Sequence, residues 1–214
     1  MKTNIAVLVS GGGTNLQALI DAQARGELGG GEITAVISSK AGAYALERAK
    51  KAGIPGYVLP RKEFASNRAM TLALVEKLKA LDIGLVVLAG CMVIFTGELA
   101  EAFPNAVMNV HPALIPSFCG QGFYGLHVHE AALAYGVKLS GATVHFVSEE
   151  CDGGPIIAQK AVAVQPGDTP ETLQRRIMEE AEWKLLPEAV RLFCQGRLSV
   201  KGRSVIISKE EASL

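Results

Sequence analysis

Apolar residues fall into two kinds of run along the first half of the chain. IAVLVS (5–10), EITAVISS (32–39), IGLVVLAG (83–90) and AVMNV (106–110) are short and nearly continuous, the pattern of strands covered on both faces. Between them, apolar positions return at helical spacing in TNLQALIDAQAR (14–25), in AYALERAKKAG (43–53) and from about Glu63 to Leu81. Thr14 or Asn15 is suited to cap the first of these helices, and Gly53 to end the second. A short strand is expected around GYVL (56–59).

The second half changes character. After a helix near His127 to Tyr135, GATVHFV (141–147) and PIIAQKAVAV (155–164) alternate like paired strands, with EECDGG as the turn between them. Thr169 and Pro170 open a long helix reaching about Gln195. The tail RLSVKGRSVIIS reads as a hairpin turning at Lys201-Gly202. Strand–helix alternation of this kind predicts an α/β fold: a doubly wound, mostly parallel, Rossmann-like sheet with antiparallel strands in the C-terminal half. No repeat or low-complexity linker divides the chain, so 1–214 is expected to be one domain. On such sheets ligands gather beyond the carboxyl ends of the strands. Four loops should meet there: Ser10 to Asn15, Ser38 to Lys40, Ala89 to Phe95, and Asn109 onward.

Composition narrows the function. With 49% apolar residues, 214 residues can bury a core without metal or disulfide support. Twenty-one basic and 21 acidic residues cancel, which argues against a general grip on nucleic acid or membrane. No apolar run approaches a membrane span, and the opening MKTNIAVLVSGGG is broken too early by glycine for a signal peptide. A cytoplasmic protein, monomer or homodimer, acting on small molecules is the expectation. Cys91, Cys119, Cys151 and Cys194 are widely spaced without a CxxC pair, as expected of reduced thiols.

The loop SGGGTN, between a strand and a helix, lets backbone N–H groups approach a phosphate at a helix N-terminus. A dinucleotide fingerprint would need a third glycine where Leu16 stands, and an acid where Ser38, Ser39 and Lys40 end the second strand. The P-loop lysine is missing too. The loop therefore suits a monophosphate, with a bare glycine turn as the alternative.

The sharper signal is Asn109-Val110-His111-Pro112. Residues two apart in a strand share a face, so the amide and the imidazole project together, and Pro112 ends the ladder there. Both side chains can donate to an oxygen gaining negative charge. A nearby carboxylate would keep the imidazole charged and oriented. Asp152 is the best placed, because Gly153 and Gly154 allow its turn to fold close. His127 reads as a cap or loop clamp, and His145 as packing. The histidine spacing lacks HExxH, so no catalytic metal is expected.

Taken together, IAVLVSGGGTNLQALIDA, LAGCM, NVHPALIPSFCG and GATVHFVSEECDGGPI resemble the folate-dependent phosphoribosylglycinamide formyltransferases over nearly the whole chain. The resemblance implies transfer of a formyl group from 10-formyltetrahydrofolate, as co-substrate, to the amine of glycinamide ribonucleotide. It implies that Asn109, His111 and Asp152 are catalytic and that Gly13, Thr14 and Asn15 hold the phosphate. Glu182 matches a ribose-binding carboxylate, Arg68 a folate-contacting arginine, and Met92, Val93, Ile94 and Phe95, with Asn109, the folate-lining segment. It divides the chain into a phosphate-binding half (about 1–100) and a folate and catalytic half (about 101–214). Val93 stands where many relatives carry arginine, Ala113 where serine is common, and PSFCGQGFYGLH is longer than the PGLH of shorter relatives. Methionyl-tRNA formyltransferases are similar in the trio, but no tRNA-binding domain is expected here. Another amine acceptor, a nucleotide-dependent oxidoreductase and a non-catalytic ligand sensor are the competing functions.

Overall fold

A computed structural model describes residues 2–209. Strand β1 (Thr3–Val9) leads through the glycine loop into α1 (Thr14–Ala24), and β2 (Gly31–Ser38) into α2 (Tyr44–Lys51). Strand β3 (Gly56–Val58) precedes α3 (Asn67–Ala80), β4 (Leu85–Leu88) precedes the short α4 (Glu98–Ala102), and β5 (Val107–His111) precedes α5 (Leu126–Tyr135). Strands β6 (Leu139–Phe146) and β7 (Ile156–Ala163) follow. Then come α6 (Pro170–Ile177), a π-helical turn (Met178–Glu182), α7 (Trp183–Cys194), β8 (Leu198–Lys201) and β9 (Ser204–Ile207).

The strands form one sheet in the order β3-β2-β1-β4-β5-β6-β7-β9-β8. The first five are parallel, whereas β5-β6 and β6-β7 are antiparallel. From β1 the chain winds outward through β2 and β3, then returns to β4 on the other side. The carboxyl ends of β1 and β4 therefore flank the point where strand order reverses, the usual crevice of such sheets. Ser10 ties the loops there together: its hydroxyl shares a 2.8 Å hydrogen bond with Ser39 Oγ and accepts the Met92 N–H at 2.8 Å.

Strand β1 explains why its sequence shows no alternation. Ile5, Val7 and Val9 pack in one cluster with Leu16 and Leu19 of α1 and Leu186 and Val190 of α7. Ala6 and Leu8 face the opposite layer, with Leu74, Val75 and Leu78 of α3 and Leu99 of α4. Both faces are dry, so both must be apolar.

Three local expectations are corrected. The N-cap of α1 is Gly13, in the left-handed conformation, and neither Thr14 nor Asn15. Helix α3 starts at Asn67 rather than near Glu63, because Ser66 Oγ accepts the Ala69 N–H and caps it. The helix expected from Pro170 to Gln195 is interrupted by the π turn, where an extra residue shifts the buried stripe. Leu173, Ile177 and Ala181 face β6 and β7, whereas Leu186 and Val190 face the β1 layer.

The turn between β6 and β7 shows why Asp152 is followed by two glycines. A Cβ on Gly154 would lie 1.8 Å from the Phe146 carbonyl oxygen, so the chain closes there only without a side chain. Gly154→Ala is expected to lower stability by about 2 kcal/mol or more through backbone displacement. Urea unfolding checks this, and an unchanged midpoint would mean that the turn tolerates a Cβ.

Candidate active site

Strand β5 delivers two polar side chains to the carboxyl edge. Val107 packs in the α3 and α4 layer, and Asn109 and His111, two and four residues on, share its face. Antiparallel pairing sets His145 of β6 directly opposite Asn109, and Thr143 opposite His111. The β6–β7 turn brings Asp152 over this edge. Its Oδ1 accepts from Asn109 Nδ2 at 3.3 Å and lies 3.5 Å from His145 Nε2. Its Oδ2 accepts the Gly120 N–H at 2.9 Å and lies 3.6 Å from His111 Nδ1. Asp152 holds φ at 54°, a conformation costly for a residue with a side chain. The four contacts to its carboxylate oppose that cost.

Both imidazoles are buried and oriented by carbonyls. His145 Nδ1 lies 2.9 Å from Phe146 O, and its Nε2 lies 3.2 Å from Asn109 Nδ2 and 3.5 Å from Asp152 Oδ1. His111 Nε2 lies 2.8 Å from Phe118 O and donates to it, leaving Nδ1 toward the carboxylate. Phe118 also has a left-handed backbone, with φ at 50°.

Two opposing effects set the charges. Burial pulls the His111 pKa below its ordinary value, and the charge of Asp152 and the Phe118 carbonyl only partly restore it. Burial pushes the Asp152 carboxyl up. The His145 hydrogen bond, the His111 imidazole and the Gly120 N–H outweigh burial and hold it below the usual aspartate range. Desolvation thus weighs against the charged imidazole that Asp152 was expected to maintain, while the contacts of the carboxylate favour its ionised form. His129 of α5 lies behind the pair, fully buried with no partner for either ring nitrogen among the described residues. Burial and the nearby His111 lower its pKa to about 4.

A second polar pair lies at the start of α1. Asn15, uninvolved in capping, donates from Nδ2 to Glu182 Oε2 at 2.6 Å, across 167 residues of sequence. The π turn ends at Glu182. Glu182 is only 6% exposed, and burial raises its pKa to about 7 against the lowering effect of the Asn15 hydrogen bond. Gly13 and Thr14 adjoin this pair. Leu16 is fully buried in the core, and Ser38 at the end of β2 bonds to Lys40 of its own loop, so the loop carries neither dinucleotide feature.

The remaining expected residues line the rim without touching these groups. Met92 and Ile94 leave more than half of their surfaces exposed, Val93 is partly buried, and Phe95 packs against the α3 layer. Arg68, at the start of α3, is mostly exposed and pairs with Glu98 of α4 at 2.5 Å. It makes no contact with Asn109, His111 or Asp152. His127 pairs with Glu130 on the helix surface at 3.0 Å and packs edge-on against the Tyr124 ring of the preceding loop, with centroids 5.2 Å apart. Reading the sequence alone missed His145. The missing information was the β5–β6 register, since Thr143 and His145 alternate in phase with His111 and Asn109 only when those strands are paired. Among the described residues no helix is long and apolar enough to cross a membrane.

Comparison with known proteins matches residues 3–190 to the formyl transferase family. Phosphoribosylglycinamide formyltransferase of Haemophilus influenzae is 42% identical over 92% of this chain and 90% of its own length. The trifunctional purine biosynthetic protein adenosine-3 of Gallus gallus is 41% identical over 93% of this chain, which spans only 19% of that protein. The crystal structure of glycinamide ribonucleotide transformylase 1 from Symbiobacterium toebii superimposes with a TM-score of 0.91 at 46% identity, covering 97% of this chain and 95% of that one.

Glu182 gives a pH test. Its folded pKa, near 7, exceeds the ordinary 4.5, so its contribution to stability is full below about pH 4.5 and is lost as pH rises through 7. Glu182→Gln should therefore gain stability relative to the parent as pH rises, reaching on the order of 3 kcal/mol by pH 8. Chemical unfolding at pH 4.5, 6 and 8 measures this. A difference independent of pH would show that the carboxyl is not desolvated.

Proposed function

The chain belongs to the formyl transferase family, and on that premise we propose that it moves the formyl group of 10-formyltetrahydrofolate to the amine of glycinamide ribonucleotide. The observation that carries this reading is the meeting of Asn109, His111 and Asp152 within hydrogen-bonding or ion-pair distance at the end of β5. The phosphate of the ribonucleotide lies against Gly13, Thr14 and Asn15, at the N-terminus of α1, where unbonded N–H groups favour an anion. Glu182 accepts from a ribose hydroxyl. The exposed apolar pair Met92 and Ile94, with Val93 and Phe95, receives the folate, and Arg68 meets its carboxylate end.

The neutral amine attacks the formyl carbon and the carbonyl electron pair moves onto oxygen. Asn109 Nδ2–H donates to that oxyanion, once it has turned from Asp152 Oδ1. So does His111 Nε2–H, once the Phe118 carbonyl has given up its hydrogen bond. Growing negative charge beside His111 favours its protonated form, which burial alone disfavours. The pair His111–Asp152 thus takes up the proton released by the attacking nitrogen and returns it to folate N10 as the carbon–N10 bond breaks. The products are the formamide and tetrahydrofolate, with atoms and charge in balance. The Val93 side chain offers no donor to the folate, so its own contribution there is apolar contact.

The test incubates the protein with 10-formyltetrahydrofolate and glycinamide ribonucleotide, and with other primary amines in parallel, following deformylated folate. The expected result is transfer to the ribonucleotide in preference to the other amines, slowed about 100-fold or more in His111→Ala. A folded protein that turns over none of them, or a variant at near-parent rate, would overturn the reading.

A further inference from the structure

The glycine loop is gripped from behind by α2, and one side chain supplies most of that grip. Ala45 N–H donates to Gly11 O at 3.1 Å, and Arg48 Nε donates to Gly12 O at 2.8 Å. In a trans peptide the carbonyl and the following N–H point in opposite directions. Fixing the Gly11 and Gly12 carbonyls toward α2 therefore turns the Gly12 and Gly13 N–H groups away from it, toward the rim. Neither N–H donates to any described group. Gly13 packs so closely on α2 that a Cβ there would lie 2.6 Å from Ala45 Cβ, and it holds φ at 71°.

Arg48 is itself held on three sides. Nη1 donates to Gln17 Oε1 of α1 at 2.9 Å, and Gln17 Nε2 donates onward to Asp21 at 2.8 Å. The guanidinium carbon sits 5.0 Å from the centroid of the Tyr44 ring. Nε on a carbonyl, Nη1 on an amide oxygen and a flat face on an aromatic ring are demands that a planar fork meets at once and a lysine ammonium cannot.

We propose that Arg48 is a positioning residue for phosphate binding: it aims the backbone N–H groups of the glycine loop at a phosphomonoester dianion. This rests on the reading of that loop as the ribonucleotide phosphate site. Its role is distinct from lending a positive charge, because the hydrogen bond to Gly12 O, not the net charge, fixes the peptide.

Inorganic phosphate and ribose 5-phosphate serve as probes, titrated calorimetrically into the parent protein and into Arg48→Gln, Arg48→Lys and Gln17→Ala. Thermal unfolding reports the fold of each variant. Both Arg48 variants are expected to weaken both probes by about tenfold or more, and Gln17→Ala by less. In turnover, KM for the ribonucleotide should rise with them while KM for formyl-folate holds. If Arg48→Gln binds phosphate like the parent, or Arg48→Lys restores binding, the positioning role is wrong. Should Arg48→Gln fail to fold, Arg48→Lys decides alone, parent-like binding by it overturning the proposal. Absence of phosphate binding in the parent overturns the loop reading together with the inference. Phosphate binding that depends on Arg48 in a protein without formyl transfer would sink the acceptor assignment and leave the inference standing.

Discussion

Burial of one carboxylate against two imidazoles is the constraint on which the site depends. Asp152 reaches its position through a left-handed backbone and a turn that closes only because Gly154 lacks a side chain. Once there, it meets Asn109, His111 and His145 and accepts from the Gly120 N–H. Isolated in hydrocarbon such a charge would be neutralised. The ring of partners keeps it ionised, and it fixes the orientation of the groups around it in return. Two strands, their turn and the 112–125 loop are joined through this side chain.

The same burial pulls the His111 pKa down against the pull of the Asp152 carboxylate 3.6 Å away. A permanently charged imidazolium would bind the formyl oxygen in the ground state as well as later. In the proposed mechanism the proton is favoured on the imidazole as the oxygen becomes anionic, which would concentrate the stabilisation where charge develops. Glu182 stands in a related condition at the other pair, with a pKa near 7 and a single hydrogen bond to Asn15. The two pairs lie on opposite layers of the sheet, one with α1 and α7 and the other with α3 and α4. A substrate that joined them would cross the carboxyl edge where the strand order reverses.

Much of the fold was legible because both periodicities are strong. Continuous apolar strands and helically spaced intervals gave the parallel half, and alternation in 141–147 and 155–164 gave the antiparallel pair. What escaped left no clear period in the sequence. Ser66 takes the cap of α3 from the residues before it, the π turn at Met178–Glu182 adjusts one helix to two packing layers, and α4 is too short to show a period. Within the site, Asn109 and His111 were legible from their spacing before Pro112, and Asp152 from the two glycines after it. His145 was not, since only strand register reveals that it faces Asn109. The forces on His111 were half legible for a similar reason: sequence displays the attracting carboxylate and hides the burial that lowers the imidazole pKa.

In the proposed mechanism His111 and Asp152 work as one proton-handling unit. A double-mutant cycle of kcat/KM for formyl transfer, comparing Asp152→Asn, His111→Gln and the combined variant, reads out that coupling. If the two act together, the combined variant will be about as slow as the slower single one, because either change alone disables the unit. If the losses of the two single variants multiply in the combined one, the residues act independently and the account is wrong.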